Sequence, residues 1–162
     1  MPAFNHPPLV RHPSLQPLSR DHYVGLVQGR RLIKAAEGSV VDRRGTLAAF
    51  IDAWDSQIAE HFDDEDRLIA PLATETDRTR LYNEHRQLRA MVEEARQRRR
   101  QVDPGAGWMR SLGQTLTDHI RWEERELFPA IEANARVQLD DLREDADRLE
   151  MSRNRRRGRS TR

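Results

Sequence analysis

No cysteine occurs among the 162 residues. That excludes a disulfide framework, thiolate zinc sites and cysteine-ligated iron–sulfur clusters. Long apolar runs are also missing. None approaches the ~18 residues of a membrane span, and no charged stretch near the N-terminus leads into an apolar one, so no signal peptide is expected. The cytoplasm is the expected location, with no membrane partner. Charge of one sign is lacking too: the formal net charge is +1, which gives the domain as a whole no bias toward nucleic acid or membrane. Lys34 is the single lysine, every other formal cation being arginine.

What is present suits one helical domain with tails. Charged residues make up 34% and hydrophobic ones 36% of the chain; Ala, Leu, Glu, Arg and Gln abound, and β-branched residues are sparse. Residues 1–18 carry Pro2, Pro7, Pro8, Pro13 and Pro17, which forbid a continuous helix and predict an irregular arm in which His6 and His12 are solvated. Ser19 is an N-cap candidate for a first helix with His22, Leu26, Gly29, Ile33 and Ala36 on one stripe. Gly38 to Gly45 reads as the connection to a second helix, whose stripe runs from Leu47 through Trp54, His61 and Glu65 to Leu68, and Pro71 ends or kinks it. A third helix should start within Thr74–Arg78 and carry Leu81, His85, Leu88, Val92 and Ala95 inward. Asp103-Pro104-Gly105 marks a turn before a fourth helix bearing Trp108, Leu112, Leu116, His119, Glu123 and Leu127, which Pro129 interrupts, although a helix can resume with Pro in its first turn. The bundle is thus expected over residues 19–135, an extra charged helix over 136–151, and a disordered Arg-rich tail over 152–162.

Two stretches repeat one another. His61-Phe62-Asp63-Asp64-Glu65-Asp66 and His119-Ile120-Arg121-Trp122-Glu123-Glu124 both read His, Glu at +4 and an acid at +5, then Arg at +6 and Pro at +10. A spacing of four puts His and Glu one turn apart on one helix face. His22 and His85 extend the repeat: each follows an acid (Asp21, Glu84), and each precedes a His-x3-Glu helix, 39 residues on in one case and 34 in the other. The chain therefore reads as two αα-hairpins. Antiparallel packing at ~1.5 Å rise per residue brings the two histidines of each hairpin to a similar level. Stacked, the hairpins place His22, His61, Glu65, His85, His119 and Glu123 in one layer of an up-down-up-down four-helix bundle, where such bundles build metal sites. A buried carboxylate costs several kcal/mol unless paired or coordinated, so Glu65 and Glu123 favour metal ligation over ordinary core packing. The acids at +5, Asp66 and Glu124, lie roughly 100° off that face and are expected in solvent or behind the ligands.

Four imidazoles and two carboxylates are too many for one tetrahedral zinc. They suit two metals, each taking two histidines, with Glu65 and Glu123 bridging and an oxide or hydroxide completing the bridge. Mixed imidazole and carboxylate ligation fits Fe, with Mn or Zn as substitutes. A remaining open position would admit a small diatomic ligand or peroxide. No catalytic acid or base is readable beyond the ligands.

On His22, His61-x3-Glu65, His85 and His119-x3-Glu123 with Glu124 and Leu127-Phe128-Pro129, residues 18–133 resemble a hemerythrin-like (HHE cation-binding) domain. The resemblance implies a four-helix bundle enclosing a non-haem di-iron centre with carboxylate bridges. Two departures matter. Oxygen-carrying hemerythrins have a second histidine four residues after that of the third helix, where Arg89 stands. They also use an aspartate five residues after the fourth-helix histidine, where this chain has Glu123 at +4. The resemblance therefore points away from O2 carriage and toward members that sense or respond to O2, NO or peroxide under redox or iron stress. Two further expectations are a di-iron enzyme turning over peroxide or NO, and a regulatory protein contacting nucleic acid through the Arg-rich tail.

Overall fold

Two helix starts along this chain are set by side chains that meet the free backbone amides of the first turn. In the computed structural model, which describes residues 10–160, Ser39 and Asp42 form a reciprocal capping box, the Ser39 hydroxyl accepting from the Asp42 amide at 3.1 Å and the Asp42 carboxylate accepting from the Ser39 amide at 2.9 Å. Thr74 accepts from the Asp77 amide at 3.2 Å in the same way. Gly105 takes a positive φ of 96°, which glycine adopts without a Cβ penalty, just before the next helix at the predicted turn.

The elements are α1 (Gln16–Ala36), α2 (Val40–Ala53), a π-helical turn (Trp54–Ile58), α3 (Ala59–Leu68), a 3-10 turn (Ala70–Leu72), α4 (Glu75–Arg98), α5 (Ala106–Trp122), a second π-helical turn (Glu123–Leu127), α6 (Phe128–Asn134), α7 (Arg136–Asp141) and α8 (Arg143–Ser160). Among the described residues there is no strand, and no helix is long and apolar enough to cross a membrane. The all-helical class predicted from composition and periodicity is what the chain adopts.

Several boundaries differ from expectation. The capping box starts α2 at Val40, so the connection from α1 is residues 37–39 rather than Gly38 to Gly45. The irregular arm ends earlier than residue 18: α1 begins at Gln16 with Pro17 in its first turn, where proline costs no hydrogen bond. Ser19 is consequently inside α1, and its hydroxyl donates to Glu124 Oε1 at 2.6 Å instead of capping. Pro129 does not end helical structure: it falls just after the second π-helical turn, in the first turn of α6, where a helix is expected to be able to resume. His12 is not solvated, because Ser14 and His12 are held against the C-terminal helices: Ser14 Oγ donates to the Leu139 carbonyl at 2.6 Å and His12 Nε2 lies 2.9 Å from Asp140. His6 lies outside the described residues. Where a disordered tail is expected from Ser152, α8 continues to Ser160. It is pinned by Arg153, which reaches Asp21 at 2.8 Å and Asp64 at 2.9 Å, and by an ion pair between Arg156 and Glu60.

The most extensive helix packing is α1 on α5, and glycines permit a close approach there. A Cβ on Gly113 would meet the Gly29 carbonyl oxygen at 2.6 Å, and one on Gly25 would meet Ile120 Cδ1 at 2.5 Å. The core is divided into two apolar clusters. One contains Leu32, Phe50, Phe62, Leu88 and Leu116; the other contains Leu18, Leu68, Leu81, Trp122 and Phe128. Along α1, α3 and α4 the polar residues His22, Glu65 and His85 fall between members of the two clusters, so a layer of buried charge is enclosed by hydrocarbon on either side.

Candidate metal centre

His22 on α1, His61 and Glu65 on α3, His85 on α4, His119 on α5 and Glu123 at the start of the second π-helical turn are all buried, with Glu65, His85 and Glu123 at 0% exposure. The structure brings all six together. His22, His61, Glu65 and Glu123 offer one ligand atom each within 4.8 Å of one another, and so do Glu65, His85, His119 and Glu123. The two carboxylates belong to both groups. Each His-x3-Glu pair meets along its own helix, His61 Nε2 with Glu65 Oε1 at 3.1 Å and His119 Nε2 with Glu123 Oε1 at 3.0 Å.

His22 Nε2 lies 3.3 Å from Glu65 Oε1 in a hydrogen bond, but most of the other inward atoms are close without being hydrogen-bonded. Nε2 of His61, His85 and His119, Oε2 of Glu65 and both carboxylate oxygens of Glu123 are buried with no hydrogen-bond partner. Orphaned buried polar atoms are costly, and six of them converging in one layer is the pattern expected of lone pairs aimed at a cation. Imidazole nitrogens and carboxylate oxygens are a donor set for Fe, Mn or Zn, and the residues present fit such ions.

The far nitrogen of every imidazole is engaged. His22 Nδ1 lies 2.6 Å from Glu124, His61 Nδ1 3.3 Å from Asp21, His85 Nδ1 2.7 Å from Asp66, and His119 Nδ1 2.7 Å from Glu84. A carboxylate on Nδ1 fixes the ring with Nδ1 protonated and leaves Nε2 as the ligating atom. The four contacts obey the sequence repeat. The acid preceding the first histidine of each hairpin (Asp21, Glu84) serves the second histidine of the same hairpin (His61, His119). The acid at +5 (Asp66, Glu124) crosses to the other hairpin (His85, His22). Asp66 and Glu124 thus stand behind the ligands rather than in solvent. Their place in both repeats was the available signal.

Electrostatics in the layer are strongly coupled. Burial works against charge on every group, but the mutual contacts win. His22 is raised well above its ordinary value and His61 is raised; His119 is pushed up to about 9 and His85 to about 11, by the charges of Glu65 and Glu123 and by the hydrogen-bonded acids behind them. Burial would raise the carboxyls of Asp21, Asp66, Glu84 and Glu124, yet each is held below its ordinary value, chiefly by the imidazole it touches.

Arg89, at the position where O2 carriers place an extra histidine, stays out of the layer. Its guanidinium donates to Asp63 and Asp66, at 2.9 Å each. A cavity of about 20 Å3 touches the layer on one side only, against His22 and His61, with Gly25, Gln57, Phe62 and Ile120 among its walls.

A family model, described as the hemerythrin HHE cation binding domain, matches residues 24–131. Five of the six clustered residues lie within that stretch, and His22 stands two residues before it. None of the curated proteins and none of the solved structures compared with the chain matches it.

Proposed function

The chain belongs to the hemerythrin HHE cation-binding domain family, and from that premise we propose that it is a non-haem di-iron protein that senses or responds to O2, NO or peroxide. The observation that carries this reading is the pair of four-residue ligand groups sharing Glu65 and Glu123. Two ions, each taking two imidazoles, would use the shared carboxylates as bridges in an up-down-up-down bundle of four helical rods: α1, α2 with α3, α4, and α5 with α6. Mn or Zn would be accepted by the same donors.

Iron bound there would supply one-electron chemistry toward a small ligand; the chain's own residues determine access and charge. The cavity beside His22 and His61 exceeds the roughly 10–15 Å3 that one water needs, and it is far too small for an organic substrate. Its walls are mostly apolar, so an uncharged diatomic enters more readily than an ion. Phe62 stacks on His85 at 4.2 Å between ring centroids and Phe128 on His22 at 5.4 Å, which holds both rings in place and keeps bulk water from them. Arg89 in place of an imidazole leaves the two metal positions with equal numbers of histidines, and this favours a sensing or stress role over reversible O2 carriage.

Turnover of peroxide or NO would require a proton donor at the inner cavity. Asp21 lines it, but that carboxylate is held by His61 and Arg153, so stoichiometric response is the better-supported use. A nucleic-acid role for the C-terminal arginines loses two of its cations to ion pairs within the chain, Arg153 with Asp21 and Asp64 and Arg156 with Glu60. The deciding experiment is anaerobic loading with Fe(II), followed by metal analysis and titration with NO, O2 and peroxide under an absorption spectrum. Close to two irons per chain and a ligand-dependent spectrum are expected. Less than one iron per chain, or a spectrum indifferent to all three ligands, would defeat the reading.

A further inference from the structure

Behind each imidazole stands a carboxylate, and behind each of those four carboxylates stands an arginine. Arg11 donates to Glu124 at 2.9 Å, Arg153 to Asp21 at 2.8 Å, Arg89 to Asp66 at 2.9 Å and Arg80 to Glu84 at 2.7 Å. Four imidazole–carboxylate–guanidinium chains therefore radiate from the layer, one through each histidine.

The four are not equivalent. Arg11 and Arg153 have side chains only 6% and 10% exposed, whereas Arg80 and Arg89 are 47% and 39% exposed. Each buried arginine also bridges a second acid, Arg11 reaching Glu132 at 2.9 Å and Arg153 reaching Asp64 at 2.9 Å. Arg89 also reaches a second acid, Asp63 at 2.9 Å, but that acid is exposed. Desolvated, charge-assisted contacts hold geometry far better than exposed ones, which water and salt screen. The buried pair acts on His22 and His61, which belong to one ligand group; the exposed pair acts on His85 and His119, which belong to the other. Origin in the chain divides the same way. Arg80 and Arg89 are on α4, inside the matched family stretch, while Arg11 precedes α1 and Arg153 is on α8, both outside it.

Resting on the metal-centre reading above, we propose that Arg11 and Arg153 are positioning residues for the His22/His61 half of the centre. Each clamps the carboxylate that orients one of its imidazoles, so the flanks of the chain set one metal position while the other is set from α4. The guanidinium does two things in each chain. It fixes the acid, so the imidazole Nε2 keeps its aim. It also cancels the acid's charge, so that less negative charge reaches the ring and the metal position.

The test compares Arg11→Gln and Arg153→Gln with Arg80→Gln and Arg89→Gln in the full chain. Two metal affinities are read by Co(II) or Fe(II) competition against a chelator, the midpoint potential of the iron-loaded protein is recorded, and circular dichroism monitors the fold. Loss of a partner behind a ligand typically weakens metal binding by about 10–100-fold. Arg11→Gln and Arg153→Gln are expected to weaken one of the two metals within that range, leave the other unchanged and shift the potential downward, since Glu124 or Asp21 is left uncompensated. Arg80→Gln and Arg89→Gln should change either affinity less than threefold. Two further variants separate positioning from simple loss of packing. Arg153→Lys keeps the charge and should recover the potential, and Asp21→Asn removes the same chain from its middle and must weaken the same metal. Equal effects from all four arginines, or equal weakening of both metals by Arg11→Gln and Arg153→Gln, would overturn the proposal while leaving the di-iron reading standing. A wild-type chain that holds no metal would overturn both.

Discussion

Glu124 and His22 are joined at 2.6 Å although 102 residues separate them. The contact ties the end of the second hairpin to the start of the first. Asp66 does the same for His85 at 2.7 Å, over 19 residues. The ligand layer is thereby cross-braced between hairpins, so its geometry depends on the hairpins' packing and not on either alone.

Neutralising a brace should loosen a metal without unfolding the chain. Glu124→Gln and Asp66→Asn each keep an oxygen that can accept from Nδ1–H but remove its charge. Metal affinity is expected to fall about 10–100-fold for either, with near-wild-type helicity. Asp63→Asn is the matched control, because Asp63 is exposed and, among the described residues, pairs only with Arg89. Chelator competition measures all three, and an Asp63→Asn effect as large as that of Asp66→Asn would contradict the assignment.

The α1–α5 contact offers a prediction independent of metal. Gly113→Ala drives a Cβ to 2.6 Å from the Gly29 carbonyl oxygen, a backbone atom that cannot step aside. Overpacking of this kind costs about 1–3 kcal/mol. Gly45→Ala, inside α2 with nothing within 4 Å of the new Cβ, should instead stabilise by about 0.5–1 kcal/mol. Thermal or urea unfolding of the two variants should move the midpoint in opposite directions.

Much of this was readable from residues alone, and the reasons for the rest are physical. The ligand layer was legible because helical periodicity fixes which residues share a face, and because His-x3-Glu occurs twice with a histidine leading each. The acids behind the ligands were visible as repeat members, but their targets were not: Glu124 reaches His22 only through tertiary packing, which no local spacing encodes. The arginines were hidden more deeply. Arg153 sits in a stretch whose composition reads as disordered, and its contacts with Asp21 and Asp64 come only from tertiary packing. The π-helical turns at Trp54–Ile58 and Glu123–Leu127 were hidden in sequence, because the buried residues across them, Trp54, Ile58 and Phe62 in one case and Glu123, Leu127 and Ile131 in the other, keep the four-residue spacing of an ordinary α-helix.

The stability of the metal-free protein should depend on pH in a sense opposite to that of ordinary acid loss. His119 is raised from 6.5 to about 9 and His85 from 6.5 to about 11. A raised folded value means that the contribution is complete below the unfolded value near 6.5 and is lost as pH rises through the folded value. Chelator-treated protein should therefore lose thermal stability progressively from pH 7 to pH 10. Metal-loaded protein uses neutral imidazoles, so the same window should leave it nearly flat, and loading at pH 7 should release protons that a weakly buffered titration can count. A metal-free melting temperature that does not fall toward pH 10 would contradict the raised values.

The sharing of Glu65 and Glu123 makes the strongest claim on stoichiometry. Each carboxylate belongs to both ligand groups, while each histidine belongs to one. Glu65→Ala or Glu123→Ala therefore removes a donor from both positions at once, and also leaves cationic imidazoles without their buried counter-charge. Breaking a buried pair by deleting one partner typically costs about 3–5 kcal/mol, so these variants should be the least stable of the set when metal-free and should retain well under one ion per chain. His119→Ala or His61→Ala removes a donor from one position only and should leave about half of the wild-type metal content. Two separate, unbridged ions would give a different pattern, in which a glutamate variant and a histidine variant each lose one metal and keep the other. Metal analysis of the four purified variants, alongside their melting temperatures, discriminates the shared arrangement from the separate one.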